Sequence, residues 1–457
     1  MNIYLHVEIS SRELDSKLLL ATLAASRGHD IIVSDLIGIL KGIDNNLLAP
    51  GIFHTKSLTP GEDKIERHKK LIDKGYMITS IDEEGNLNEH GYQLFARQRY
   101  SNKTIEQASA IFGWGSEDID TLKEIYSNHS KKIFKTGSPR ADLWKSSFSN
   151  YWKAPSNLPK KPFLLIASNL GYANNIRSFK EYIKFEKKIG RFERDPNLLR
   201  KRFGETAEDF NKFFYFIEAI KYLSKNANDY DIVLRPHPSE DIETWKIFLS
   251  DIKNVHIIRE GPINAWLNKS FAVMHNSCTT ALEATVSKKP LITYIPFEQN
   301  YASNLANELG YVVKTLEELS NKVKLIFDTT KLNNQEKVKG SLPEILSKKI
   351  FIDEDELAAK KIIRIWENIA ADKYTKISDI KKFKWLIKFD NYKQIIKSMI
   401  KILIRHNSNS NNENYKFYPL EQNDMQERIE RIQNILGIKE KISCKLLSNR
   451  TLHVKRL

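Results

Sequence analysis

The sequence predicts an α/β protein built from two Rossmann-like domains that face a cleft, with a basic helical C-terminal extension. Three observations support this prediction. Apolar strand-like segments alternate with amphipathic helical segments in two separate series, which is the pattern of parallel doubly wound sheets. The proline-containing segment SNYWKAPSNLPKKP separates the two series. The length of 457 residues accommodates two domains and an additional segment.

The first domain is predicted to span residues 1–150. NIYLHVEI is predicted as a strand, SRELDSKLLLATLAASRG as an amphipathic helix and DIIVSD as a second strand. Apolar side chains recur at helical spacing in this helix, at Leu14, Leu18, Leu19 and Leu23. Ser10 or Ser11 is placed to cap the start of the helix, and Gly28 follows its end. Further strands are predicted in GYMITSIDEEG, ASAIFGWGSEDIDTLKEIY and SKKIFKTGSPRADLW.

The second domain is predicted to span residues 160–350. Its strands are predicted in FLLIASNLGYANN, DYDIVLRPHP, NVHIIREG, FAVMHNSCTTALEATVSKKP and LITYIPFEQN. A long polar helical insert, at about 177–226, interrupts the series. The segment 351–372 contains EDELAAKKIIRIWENIA, which is predicted as the helix that closes this part of the chain.

The tail, residues 373–457, holds most of the net charge of +15, because it contains 19 Lys/Arg and 8 Asp/Glu, a net charge of +11. NYKQIIKSMIKILIRH predicts a helix with an apolar face and a lysine-rich face. Two interpretations of this helix stay open. It binds an anionic membrane surface through residues 380–405, or it packs on the enzyme with its lysines in solvent. DMQERIERIQNILG is predicted as a last amphipathic helix.

The composition gives expectations about the cellular location of the protein and about its cofactors. Two cysteines, Cys278 and Cys444, form no disulfide framework and suit a reducing environment. The first residues lack the pattern of a signal peptide, and no apolar run reaches the length of a membrane span. A cytoplasmic location is therefore expected, and peripheral association with the inner face of the membrane stays open. The histidines lack close ligand spacing, so we expect no metal and no cofactor, and we recognise no nucleic-acid-binding module.

The first candidate site is the strand end YDIVLRPHPSED. Ligands of open α/β sheets bind beyond the carboxyl ends of the strands, and the two prolines restrict the backbone around the histidine. Arg235 and His237 can both donate hydrogen bonds to a phosphate. The alternative is a plain strand end whose histidine is satisfied by a backbone carbonyl. Asn169 and Gly171, which follow an earlier strand, are assigned to the same donor site.

The second candidate site is MHNSCTTALEA, where a strand ends and a helix begins. Ser277 is placed to cap that helix, and Thr279 and Thr280 add hydroxyl donors near its free N–H groups, a favourable place for an anion. Glu283 lies one turn into the helix, where its carboxylate can accept hydrogen bonds from ribose hydroxyls. The alternative is a simple helix cap with Glu283 in a surface ion pair.

The third candidate site is SIDEEGNL, residues 80–87. Three consecutive acids follow an apolar strand, and Gly85 then turns the chain. A carboxylate at a cleft wall can have its pKa raised by desolvation and by acidic neighbours. Such a group suits a general base that takes a proton from a hydroxyl. The alternative is a solvated acidic turn.

Together these segments resemble bacterial sialyltransferases and polysialyltransferases, which share an acidic-acidic-glycine motif, a His-Pro motif and a Ser/Thr motif. Here EEG lies at 83–85, HP at 237–238 and SCTT at 277–280. The resemblance implies the GT-B glycosyltransferase fold, a CMP-activated donor and Glu83 or Glu84 as the general base. It also implies that the donor phosphate is contacted by His237, Ser277, Thr279 and Thr280.

The chain is also similar to the bacterial surface carbohydrate biosynthesis protein family in HVEISSRELDSKLLLATLAASRGH, LLAPGIFHTKSLTP, ITSIDEEG and KTGSPRADLW. TGSPRAD resembles a segment of the CDP-glycerol glycerophosphotransferases, and Kdo transferases use CMP donors on related folds. The leading hypothesis is a metal-independent glycosyltransferase that moves a nonulosonate or Kdo-like sugar from a CMP donor to a glycan or lipid-linked glycan. The alternatives are a CDP-glycerol-type glycerophosphotransferase and a non-catalytic polysaccharide-assembly protein.

Overall fold

The structure is a computed structural model that describes residues 1–87, 90–188, 190–194, 197–301, 304–331, 342–371, 377–389 and 417–457. The chain forms two compact units. Unit 1 contains Met1–Asn86, Gly91–Leu143 and Glu344–Leu457, and unit 2 contains Leu87–His90 and Trp144–Pro343. The segments predicted as a closing helix and a tail therefore belong to unit 1 where the structure describes them.

Strands are numbered along the chain. In unit 1 they are β1 Asn2–His6, β2 Asp30–Ser34, β3 Ile52–Thr55, β4 Met77–Ile81, β5 Ala108–Gly113, β6 Ile133–Lys135, β13 Ile442–Ser448 and β14 Thr451–Arg456. In unit 2 they are β7 Phe163–Ala167, β8 Asp231–Arg235, β9 Val255–Ile257, β10 Ala272–His275, β11 Leu291–Tyr294 and β12 Tyr311–Val313.

Helices are numbered in the same way. Unit 1 contains α1 Ser10–Ser26, α2 Leu36–Asp44, α3 Glu62–Asp73, α4 Gln93–Arg99, α5 Asn102–Gln107, α6 Ser116–Ile125, α7 Pro139–Asp142, α16 Glu344–Lys349, α17 Ala358–Ile369 and α18 Gln422–Leu436. Unit 2 contains α8 Phe179–Lys188, α9 Arg191–Arg194, α10 Leu198–Asn226, α11 Ile242–Leu249, α12 Ile263–Lys269, α13 Thr280–Val286, α14 Asn304–Asn307 and α15 Leu316–Lys331.

Unit 1 is an α/β unit around a sheet of order β13-β14-β2-β1-β3-β4-β5-β6. The strands from β2 to β6 pair in parallel, and the chain reverses its direction of growth between β1 and β3. That reversal is a topological switch point, where the loops after the two strands separate and leave a crevice. Helix α1 begins at Ser10, but the predicted serine cap is absent, since Ile9 is the capping position and makes no side-chain bond. The Glu13 carboxylate accepts the Glu8 N–H instead, at 2.8 Å.

The C-terminal extension differs from the predicted helical tail. Helix α18 is confirmed, but β13 and β14 then form a hairpin that pairs antiparallel with β2 at the edge of the sheet. Leu452 and Val454 are fully buried, and the polar Thr451 and His453 that alternate with them are buried as well, so both faces of the first four residues of β14 are covered. The predicted helix at 392–405 lies outside the described residues.

Unit 2 is built on a fully parallel sheet of order β9-β8-β7-β10-β11-β12. This is the strand order 3-2-1-4-5-6 of the doubly wound Rossmann fold, and its switch point lies between β7 and β10. The predicted polar insert is mostly α10, whose second half buries Phe216, Ile220 and Leu223 in the core of the unit. The predicted α/β class with two consecutive parallel sheets is thus confirmed.

No helix in the described ranges is both long enough and apolar enough to cross a membrane.

Candidate nucleotide site in unit 2 and acidic turn in unit 1

A cavity of about 410 Å³ opens at the carboxyl ends of the strands of unit 2. Its volume is in the range of small-molecule sites. It is lined by Asn169, Gly171, Tyr172, Asn175, Tyr182, Glu205, Glu208, Asp209, Lys212, His237, Ser239, Ser277 and Tyr301. The loops after β7, β8 and β10 all contribute to it, so it lies at the switch point predicted by the strand order.

Asn169 and Ser277 join the two sides of the switch point. The Asn169 amide donates to the Ser277 carbonyl at 2.8 Å. Ser277 has a left-handed backbone with φ 55°, and Asn307 holds it there by accepting its N–H at 2.6 Å and donating to its hydroxyl at 3.0 Å. The Ser277 hydroxyl donates to Asn276 Oδ1, and the capping position of α13 is Thr279, with no side-chain cap bond, so the predicted Ser277 cap is wrong. Its predicted contact with a donor stays a prediction.

His237 presents one ring nitrogen to the cavity. Its Nδ1 accepts the Ser239 N–H at 3.2 Å and lies 2.7 Å from the Ser239 hydroxyl. Because Nδ1 is an acceptor, the proton of the neutral ring resides on Nε2. Desolvation by the surrounding protein, and then the Arg259 cation, lower the pKa of His237, although the ring remains open to solvent on one side. A neutral Nε2–H donor is therefore available to a ligand.

The buried carboxylate of Glu240 holds the His237 loop against the loop after β7. It accepts hydrogen bonds from the N–H of Leu170 and of His237, both at 3.0 Å, from Ser168 Oγ at 2.9 Å and from Trp245 Nε1 at 2.8 Å. Burial raises the pKa of Glu240, and these bonds oppose that effect. Sequence reasoning missed this residue, because a loop glutamate next to RPHPS has no distinguishing signal.

Arg235, by contrast, does not line the cavity. Its guanidinium donates to three carbonyls of one loop, those of Arg259, Glu260 and Gly261, and lies 5.5 Å from the centre of the Trp266 ring. Burial lowers the pKa of Arg235 to about 10. In this arrangement Arg235 braces a loop, and its predicted phosphate contact stays a prediction.

Three further predicted residues also lie outside the cavity lining. Helix α13 begins at Thr280 and has only seven residues. Thr279 is exposed, Thr280 is buried and accepts from the Cys278 thiol at 3.3 Å, and Glu283 accepts from the Asn264 amide at 2.7 Å. Their predicted contacts with phosphate and ribose stay predictions.

Helix α10 supplies a charged wall of the cavity that sequence reasoning missed. Glu205, Glu208, Asp209 and Lys212 lie at i, i+3, i+4 and i+7, so they form one stripe along the helix. Asp209, Glu208 and Lys212 are nearly fully buried. The signal that could have identified this wall is in the sequence spacing, because charged residues occupy i, i+3, i+4 and i+7, where a buried helix face normally has apolar residues.

In unit 1, the acidic turn after β4 is not a solvated turn. Asp82 and Glu83 are each 2% exposed. The Asp82 carboxylate accepts two hydrogen bonds from Arg99, at 2.8 and 3.0 Å. Glu83 Oε1 accepts from the buried Lys17 ammonium at 2.6 Å, whereas its Oε2 is buried without a hydrogen-bond partner among the described residues. The Glu84 side chain is 44% exposed and lies 3.2 Å from Arg99.

The backbone of the same turn is held from outside. Trp114 Nε1 donates to the Asp82 carbonyl at 2.8 Å, and Arg140 donates to the Glu83 carbonyl at 2.7 Å while stacking over the Trp114 ring. Asp118, in the first turn of α6, accepts the N–H groups of Trp114 and Gly115. Among the described residues, no group of three His, Cys, Asp or Glu side chains is arranged to hold a metal ion.

Comparison with known proteins identifies no family for this chain. No protein-family model matches it, and no curated protein matches it. Several solved structures are similar at low identity. One is assigned as a UDP-N-acetylglucosamine 2-epimerase from Listeria monocytogenes (12% identity, TM-score 0.48, 82% of this chain and 97% of that chain). Another is a glycosyltransferase from Rickettsia africae (11%, 0.44, 81% and 99%). A third is the wall teichoic acid polymerase TagF (12%, 0.41, 70% and 73%). These values do not assign an activity.

Proposed function

We propose that the protein is a GT-B-type glycosyltransferase of bacterial surface polysaccharide biosynthesis that uses a nucleotide-activated sugar. The observation that carries the proposal is the unit 2 cavity, where Asn169, Gly171, His237 and Ser277 come together from three strand ends. These residues were selected from the sequence as donor-site residues. The motif resemblance adds the finer part of the proposal, a CMP-activated nonulosonate or Kdo-like sugar and a glycan acceptor.

The proposed reaction uses His237 as a hydrogen-bond donor. Its Nε2–H donates to a phosphate oxygen of the donor nucleotide. The bond between the anomeric carbon and that phosphate breaks, and its electron pair leaves with the nucleotide. The acceptor hydroxyl bonds to the anomeric carbon and gives its proton to a carboxylate. A hydrogen-bond donor that is already held in place stabilises the negative charge that develops on the phosphate. It lowers the activation barrier because the side chain does not have to be ordered during the reaction.

Glu83 and Glu84 are both proposed for the carboxylate role, and they differ in accessibility. A general base has to come within hydrogen-bond distance of the hydroxyl that it deprotonates. The Glu84 side chain is half-exposed, whereas Glu83 is buried against Lys17. Glu84 is therefore the more accessible base. Activity lost in Glu84→Gln but retained in Glu83→Gln would assign the role to Glu84.

The experiment that tests the proposal is the variant His237→Ala. We expect kcat/KM to fall by about a hundredfold or more, the size of a lost transition-state donor, with an unchanged circular dichroism spectrum. His256→Ala is the matched control, because His256 is a partly exposed histidine of the neighbouring strand β9 and is paired with Asp231. Unchanged transfer by His237→Ala would contradict the proposal.

Phosphorus in the new product linkage would instead identify a glycerophosphotransferase.

Membrane association is a separate part of the proposal. In the described segment 377–389, Trp385 is 68% exposed beside the exposed Lys381, Lys382 and Lys388, and Phe383 is buried on the opposite side. Aromatic and basic side chains on one helix face are typical of membrane-surface helices. We propose that this face binds anionic lipid, which suits a lipid-linked acceptor.

The membrane proposal is tested by co-sedimentation with anionic and neutral vesicles. Deleting residues 373–457 would also remove β13 and β14 from the sheet, so a point substitution is the sharper test. Trp385→Ser is expected to weaken binding to anionic vesicles. Leu325→Ser, at another exposed apolar residue, is the control. Equal sedimentation of Trp385→Ser and the unsubstituted protein would exclude this face.

A further inference from the structure

The charge balance of the unit 2 cavity raises a question about anion binding. A nucleotide phosphate requires positive charge or several donors at its site. Arg235, the cation expected from the sequence, donates to three loop carbonyls and does not line the cavity. His237 has a lowered pKa and offers one neutral donor. Among the described residues that line the cavity, Lys212 therefore carries the one full positive charge.

Lys212 is buried at this wall and its hydrogen-bonding capacity is only partly used. Its side chain is 4% exposed. An ammonium group has three donors, and among the described residues its one hydrogen-bond partner is Asp209 Oδ1, at 3.1 Å. Asp209 Oδ2 also accepts the Tyr172 N–H at 3.1 Å, which attaches the pair to the loop after β7.

The other carboxylates of the wall have protein partners of their own. Glu205 accepts a hydrogen bond from Arg202 at 2.6 Å, and Glu208 Oε1 accepts the N–H groups of Asn300 and Tyr301. The charge of Glu205 is therefore balanced by Arg202, whereas Glu208 has backbone donors on Oε1 and a buried Oε2 without a hydrogen-bond partner among the described residues. Burial raises the pKa of Asp209, the carboxylate beside Lys212, and the Lys212 cation opposes that rise.

We propose that Lys212, held by Asp209, forms an anion-binding subsite that contacts the phosphate of the nucleotide donor. This inference rests on the proposed function and adds the cation that the sequence did not identify. In the unliganded protein Asp209 is the partner of the ammonium. When the nucleotide-sugar binds, a phosphate oxygen accepts hydrogen bonds from the ammonium N–H groups that Asp209 does not use. The phosphate also accepts a hydrogen bond from the Nε2–H of His237.

The first test is CMP and CDP binding by titration calorimetry with Lys212→Met, which keeps the aliphatic part of the side chain. We expect the dissociation constant to rise by about tenfold or more, as for a lost charge-assisted hydrogen bond. The matched control is Lys221→Met, an exposed lysine of the same helix, which should bind like the unsubstituted protein. Equal binding by Lys212→Met and the unsubstituted protein would overturn the subsite and leave the proposed function intact. Failure of the unsubstituted protein to bind CMP, CDP or UDP would overturn both.

The second test keeps the inference falsifiable if Lys212→Met does not fold. Asp209→Asn retains an oxygen for the Tyr172 N–H but no longer neutralises the ammonium. We expect a lower melting temperature without ligand and a larger increase on adding CMP, because the phosphate then supplies the missing negative charge. An equal CMP-dependent increase in Asp209→Asn and the unsubstituted protein would show that Lys212 does not meet the phosphate.

Discussion

At the scale of single residues, the site depends on contacts that leave little room for substitution. Gly171 is an example, because a β-carbon at this position would lie 2.6 Å from the Ser239 hydroxyl. Ser239 holds Nδ1 of His237 by its own N–H and hydroxyl. The absence of a side chain at Gly171 is thus part of what fixes the tautomer of His237.

Gly171→Ala is therefore expected to displace the Ser239 hydroxyl and to loosen His237 without unfolding unit 2. Nucleotide affinity should fall by about tenfold, because the His237 ring would have to be ordered before its Nε2–H can donate to the phosphate. Calorimetric titration with CMP measures the effect. The control is Gly61→Ala, because a β-carbon at Gly61 would meet open space. Gly190→Ala is unsuitable, because the positive φ of Gly190 would strain an alanine. Affinity equal to that of the unsubstituted protein would mean that Ser239 does not control the site.

At the scale of elements, the C-terminal hairpin completes the sheet of unit 1. Strand β14 pairs with β2 along its length, and Leu452 and Val454 are fully buried there. Without the hairpin, β2 would become an exposed edge strand, which is prone to pair with other chains.

Deletion of residues 438–457 is expected to destabilise unit 1 by about 3 kcal/mol or more, from the two buried apolar side chains alone. Urea unfolding followed by tryptophan fluorescence measures the change. Deletion of 455–457, which are exposed, is the control and should have little effect. If both deletions unfold at the same urea concentration, the hairpin does not support the sheet.

At the scale of the whole molecule, several buried histidines are held neutral. Burial lowers the pKa of His6 to about 4 and those of His68 and His275 to about 3. An unfolded chain protonates these groups near pH 6.5. Between pH 6.5 and about 3 the unfolded state therefore binds more protons, so stability present at neutral pH is lost as the pH falls.

We expect each fully depressed group to contribute about 2 kcal/mol to the loss of stability between pH 7 and pH 5. The variant His275→Gln cannot titrate, so its unfolding free energy should fall by about 2 kcal/mol less over that range. Urea unfolding at the two pH values measures this difference. The control is His129→Gln, at a histidine that is only partly buried. An identical loss in all three proteins would show that His275 is protonated in the folded state.

Much of the fold follows from the sequence alone. Strand–helix alternation identified two parallel sheets, since the period of apolar residues changes between strand and helix. The positions of Asn169, Gly171, His237 and Ser277 in the cavity also followed, because strand ends and turn residues mark the carboxyl edge of such a sheet. His237 and Ser239 of the RPHPSED loop line the cavity, whereas Arg235 does not, and the role of this loop in donor binding stays a prediction.

Only the tertiary structure decided which charges meet there. Asp209 and Lys212 form one stripe on α10, but only the folded unit shows that this stripe lines the cavity beside the loop after β7, and Glu240 has no local signal in the sequence. Arg235 turned toward loop carbonyls for the same reason. The hairpin likewise joins β2 across more than 400 residues of chain, with Leu452 opposite Val33. Local periodicity determines the elements, whereas long-range pairing and burial determine the partner of each charged group and each strand edge.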